Sequence, residues 1–77
     1  MYIFSQDKND IYDLSKYATI HMEHGCIFLK RLKDTDTDIV IGNYTTDANG
    51  ITIMKCISGA ISDGVKLFVL PEEAPHR

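Results

Sequence analysis

Only one stretch of this chain has helical spacing, residues 46–64, so whatever else folds must fold as strands around a single helix. On a wheel of about 100° per residue, Ile53, Met54, Ile57, Ala60 and Ile61 fall within roughly one third of the circumference, which predicts a core-facing stripe. Thr52, Lys55, Ser58, Ser62 and Asp63 lie off that stripe and are expected to face water. The Thr46 hydroxyl is placed to cap the first turn, and Asp47 suits the positive end of the helix dipole. Gly64 stands where a left-handed stop is expected. Gly50 falls inside the stripe, where a glycine is about 1 kcal/mol worse than alanine. Its simplest use is to let the helix lie close on a sheet. The others are a hinge or ligand approach, and a late helix start with residues 45–50 as a loop.

The remaining segments read as strands and turns. Residues 1–5 are strand formers, and 6–10 form a polar turn. Residues 11–14 are a short strand or a turn of extended chain. Residues 17–23 alternate, with Ala18, Ile20 and Met22 on one side and Thr19, His21 and Glu23 on the other. His24-Gly25 signals a tight turn, and residues 26–32 return as the second arm of a hairpin. Residues 33–38 are a polar loop, and 38–44 are a further strand with Gly42 as a candidate bulge. After the helix comes a last strand, 66–70, which Pro71 ends. The expected fold is therefore α+β, in the order β-β-β-β-α-β. An antiparallel sheet of four to five strands carries the one helix on one face. Residues 1–70 make the domain and 71–77 a charged tail expected to fray.

MYIFSQDKNDIYDL at the start, Gly42-Asn43-Tyr44-Thr45-Thr46 before the helix, and KLFVLPEE at the end carry a resemblance. The chain resembles a family of small uncharacterised proteins from Gram-positive bacteria and their phages. Its members open with a strand and Ser-Gln-Asp. They reach a helix through Gly-x-Tyr-x-Thr, and close with a strand and Pro-Glu-Glu. The resemblance implies the same fold and a phage-like setting, and brings no activity with it. This chain departs in the helix, whose exposed side carries Thr, Cys, Ser and Gly where the family has Glu and Lys.

Seventy-seven residues make one domain, close to the lower limit for an unaided core. An apolar content of 44% argues for a folded chain. No apolar run approaches the roughly 20 residues that span a bilayer, and no secretory start is present, so no membrane association and a cytoplasmic location are expected. Two cysteines, Cys26 and Cys56, do not make a disulfide framework and read as small hydrophobes. A net charge of −3 gives no general attraction to nucleic acid.

Chemistry-bearing constellations are sparse. His21, His24 and Cys26 give H-x-x-H-x-C at the hairpin tip, but zinc wants four ligands and the second pair is missing. Asp34, Asp36 and Asp38 imitate the start of a calcium loop. The sixth and twelfth positions, which need Gly and Glu, hold Ile39 and Thr45. No nucleophile with a base, paired acids or phosphate loop stands out, so no enzyme, cofactor or metal is expected. Lys30, Arg31 and Lys33 form the one basic cluster, and Tyr2, Tyr12 and Tyr17 could stack on bases.

One feature points outward. The strands are apolar on both faces, and one helix covers one face. Either loops and residues 6–16 fold over the second face, or it is an interaction surface, for which Phe28, Phe68, Leu70 and Val40 are the candidates. The leading expectation is a non-enzymatic protein-interaction module, a phage accessory protein that forms a homodimer or binds a host protein. The runner-up is a nucleic-acid-associated factor using Lys30, Arg31 and Lys33.

Overall fold

The structure, a computed structural model, describes residues 1–31 and 38–73. Lys33, Asp34, Asp36 and His76 lie outside the described residues. The elements run β1 (Tyr2–Phe4), β2 (Ile11–Asp13), a 3₁₀ turn (Leu14–Lys16), β3 (Tyr17–Glu23), β4 (Cys26–Arg31), β5 (Ile39–Asn43), α1 (Asp47–Ser62) and β6 (Leu67–Val69). The α+β class and the single helix are as the spacing predicts. The single antiparallel sheet is not. Among the described residues two sheets of three strands form, ordered β2-β1-β6 and β3-β4-β5, and five strands precede the helix.

The division has a local cause. The Asp13 carboxylate accepts from the Ser15 backbone N–H at 3.0 Å and from the Ser15 hydroxyl at 2.8 Å. That bonding fixes the 3₁₀ turn, which redirects the chain so that β3 does not continue as a neighbour of β2. β1 keeps β2 as an antiparallel partner on one edge. On its other edge it takes β6, and this pair is parallel, with Tyr2 opposite Leu67, Ile3 opposite Phe68 and Phe4 opposite Val69. The sheets meet at Gln6, whose N–H donates to the Ile41 carbonyl at 2.8 Å and whose Oε1 accepts from Asn43 N–H at 2.7 Å. Tyr12 and Tyr17 add an edge-to-face contact, centroids 6.1 Å apart.

Strand alternation decides which side chains reach the core. Ile27 and Leu29 of β4, Ile41 of β5, and Ile3 of β1 turn inward, and Ile53 and Ile57 of α1 meet them. Tyr44 and Leu70 complete the cluster. β3 and β4 are joined by a two-residue turn in which His24 (φ 51°) and Gly25 (φ 78°) both take positive φ, the backbone twist that suits a tight hairpin. A Cβ on Gly25 would stand 2.2 Å from the Tyr44 carbonyl oxygen, so the hairpin tip rests directly on the approach to α1.

The helix is bounded as its ends predict. The Thr46 hydroxyl accepts from Asn49 N–H at 3.1 Å. At the other end Gly64 N–H donates to the Ile61 carbonyl and Val65 N–H to the Ala60 carbonyl, which takes up two orphan acceptors. Gly50 is buried inside α1, and a Cβ there would lie 3.1 Å from the Met22 side chain and 3.2 Å from Gly25 Cα. It is thus a close-approach glycine, and residues 47–50 belong to the helix. One member of the predicted stripe is displaced. Ile53, Ile57 and Ala60 are buried, whereas Ile61 is 55% exposed.

The tail departs from a frayed end as far as Glu73. Tyr44 donates its hydroxyl to the Pro71 carbonyl at 2.7 Å. The Glu73 carboxylate accepts from Thr45 N–H at 2.8 Å, from the Thr45 hydroxyl, and from Asn49 Nδ2 at 2.5 Å. A side chain four residues beyond β6 therefore serves the N-terminal end of α1.

Candidate interaction surfaces

Three apolar surfaces remain open, each made by an element whose inward face is already used. The first is the outer face of β2-β1-β6. Registry sets Ile11, Phe4 and Val69 in one row and Tyr2 with Leu67 in the next. Ile11 is 57% exposed, Tyr2 51%, Val69 46% and Leu67 44%, so this face holds four of the five large hydrophobics exposed on the described strands, Val40 being the fifth. Lys8 lies over the Phe4 ring, 5.7 Å from its centroid, and donates to the Leu70 carbonyl at 2.5 Å.

The second is the outer face of β3-β4-β5, where His21, Phe28 and Val40 stand side by side across the strands. The His21 and Phe28 rings stack with centroids 6.2 Å apart, and Phe28 is half-buried while Val40 is exposed. Two of the four predicted surface residues therefore share a face. The other two require correction. Leu70 has no exposure and belongs to the core, and Phe68 is partly buried against that core on the inward side of β6. The reason is the parallel pairing with β1, which puts Phe68 level with Ile3 and turns Leu67 and Val69 outward instead.

The third lies along α1. Ile51, Met54, Ser58 and Ile61 are spaced three and four residues apart and form one row on the flank of the helix. Ile51 and Ile61 are exposed, and Met54 is half-buried. Between this row and β3 runs an open groove of about 360 Å³ lined by Ile20, Met54, Ile57, Ser58 and Ile61. Sequence reasoning assigned Ile61 to the core and Ser58 to solvent, and so did not see them as neighbours. The three-four spacing of Ile51, Met54, Ser58 and Ile61 was the available signal.

The polar constellations are turn and cap devices. The buried Ser5 hydroxyl donates to Asp7 at 2.6 Å and accepts from Asp10 N–H, locking the turn between β1 and β2. That hydroxyl, with Asn9 N–H, lowers the Asp7 carboxyl below the usual range. At the hairpin tip, His21 and His24 each approach Glu23, at 3.8 and 3.9 Å, and the Cys26 thiol donates to Asn43 at 3.5 Å. Among the described residues no group of three or more His, Cys, Asp or Glu side chains could hold a metal ion. Nor is any buried side-chain polar atom left without a partner among them. Lys30 is half-buried and Arg31 exposed; as consecutive strand residues they point to opposite faces of β4. Lys33 and the aspartates of its loop up to Asp36 fall outside the described residues.

Tyr44, Asn49, Thr52, Ile53, Glu72 and Glu73 border a cavity of about 160 Å³ at the start of α1. Burial, and then the Glu73 charge, push the Tyr44 phenol up to about 12. Glu73 accepts from the Thr45 N–H and the Asn49 side-chain amide here, while the Asn49 backbone N–H donates to the Thr46 hydroxyl. No protein-family model, curated protein or solved structure matches the chain. Among the described residues no helix is long and apolar enough to cross a membrane.

Proposed function

We propose that the chain is a small non-enzymatic protein-interaction module, of the phage-accessory kind that its sequence resemblance implies. The observation that carries this reading is the outer face of β2-β1-β6. It sets the exposed Tyr2, Ile11, Leu67 and Val69 around Phe4 on a chain of 77 residues, with the Lys8 side chain lying over the Phe4 ring. Contiguous exposed apolar area of this kind marks a docking surface in soluble proteins. The polar clusters support the reading from the other side, because Ser5, Asp7, Asp13, Thr46 and Glu73 are each engaged in turns or caps. Nucleic-acid binding has no comparable support, since Lys30 and Arg31 diverge and the net charge is −3.

The test is capture of partners from nuclease-treated lysate of the source cells by the tagged wild type and by the Ile11→Asp, Val69→Asp double variant. A set of bound proteins that survives nuclease and is lost with the double variant is the expected outcome. Equal capture by both proteins, or binding that disappears with nuclease, would overturn it.

A further inference from the structure

We infer that a second copy of this chain packs on the α1 row and the free edge of β3, giving a two-fold dimer built around the groove between them. This rests on the interaction-module reading but uses a different surface from the outer face of β2-β1-β6. Four observations carry it. First, β3 is an end strand of its sheet, and its length of seven residues makes it the longest strand described. Glu23 and Cys26 close the two-residue turn as a pair, so alternation along the ladder turns the N–H and C=O groups of Ile20 and Met22 away from β4. Among the described residues these groups have no backbone partner beyond the sheet. The free stretch runs from Ile20 to Met22, because the ladder is irregular between Tyr17 and Thr19 and the Tyr17 N–H donates to the Leu14 carbonyl, and an open edge of this kind is a template for another strand.

Second, the row Ile51, Met54, Ser58 and Ile61, exposed except for the half-buried Met54, repeats at three-four spacing, the pattern by which two helices pack on one seam. Third, the edge and the row are neighbours, because Ile20 of β3 and Met54, Ser58 and Ile61 of α1 line the same groove. One partner therefore meets both at once, and Ser58 at mid-row is small enough for close approach. Fourth, β3 is compatible with itself. Antiparallel self-pairing centred on Ile20 sets Ile20 against Ile20 and Thr19 against His21, short of the irregularity between Tyr17 and Thr19, so no like charges meet in the paired stretch. The two-fold repeat also closes the assembly at two copies. A strand of seven residues and a helix of sixteen are each roughly 23–24 Å long. With the helix layer stacked about 10 Å above the strand and each layer about 10 Å across, the contact face is roughly 20 Å high and up to about 24 Å long, at most roughly 500 Å² per subunit, which is below the standard interface and suits a weak, concentration-dependent dimer.

Sedimentation at tens of micromolar and below tests this. The expected mass of the wild type is twice 8.7 kDa, falling to 8.7 kDa on dilution. Ile61→Asp should be a folded monomer by circular dichroism, and Val69→Asp should remain a dimer. A second variant, Ser58→Cys with Cys26 and Cys56 replaced by Ser, should form a disulfide-linked dimer under mild oxidation, and it reads out proximity even if Ile61→Asp does not fold. A wild type of 8.7 kDa at every concentration overturns the dimer while leaving partner capture to decide the wider reading. Loss of the dimer in Val69→Asp but not in Ile61→Asp overturns the assigned surface, as does failure of the Ser58→Cys crosslink.

Discussion

Ile57 is 2% exposed in the cluster that also holds Ile3, Leu29 and Ile53, so truncating it removes packed core atoms. Ile57→Ala is expected to cost about 2–5 kcal/mol, a large part of the stability of so small a domain, read as a lower urea midpoint at unchanged slope. Tyr44 gives a residue-level pH prediction. Its phenol ionises at about 12 in the folded chain, above the ordinary value of 10.0, because burial and the Glu73 charge disfavour the phenolate. A raised folded-state value means that the folded state holds the proton more tightly than the unfolded one. The resulting stability is complete below pH 10.0 and is lost as pH rises through about 12. Urea midpoints should therefore fall across that window, and Tyr44→Phe should fall less steeply. An equal loss in both proteins would show that Tyr44 is not the group responsible.

At the scale of the element, two glycines of α1 should respond in opposite directions. Gly59 has no atom within 4 Å of a built Cβ, so Gly59→Ala should stabilise by about 0.5–1 kcal/mol through helix propensity alone. Gly50→Ala gains the same propensity but places its methyl 3.2 Å from Gly25 Cα. Met22 can rotate away, whereas Gly25 is held by its carbonyl accepting from Tyr44 N–H at 2.8 Å. Net destabilisation is expected there, and thermal melts of the two variants side by side would expose an error in either sign. The helix was the most legible part of the chain, from the Thr46 cap to Gly64. Ile61 was misplaced for a geometric reason. It lies at the border of the core-facing line Gly50, Ile53, Ile57 and Ala60, and a wheel does not say where the sheet beneath the helix ends.

For the whole molecule, the hairpin of β3 and β4 and the α+β class were readable, because alternation and turn chemistry are local. The partner of β1 was not. Nothing in Tyr2, Ile3 and Phe4 says that they pair with Leu67, Phe68 and Val69 across 65 residues, and the error carried Phe68 and Leu70 onto the wrong face. Of the predicted surface, Phe28 and Val40 were legible from their own strands, while Ile11, Tyr2, Leu67 and Val69 emerge only from the pairing. That pairing also sets an order of events. β1 leaves the ribosome before β6, and its sheet has a vacant edge until β6 follows. Until then Ile3 lacks both Phe68 and Leu70 beside it, and the nascent chain is a hairpin domain with an open slot. A fragment of residues 1–64 should accordingly be protease-sensitive, and a synthetic peptide of residues 65–73 added in trans should restore resistance. In this chain the last strand acts as the bolt: folding is completed, and degradation deferred, only when it slides home.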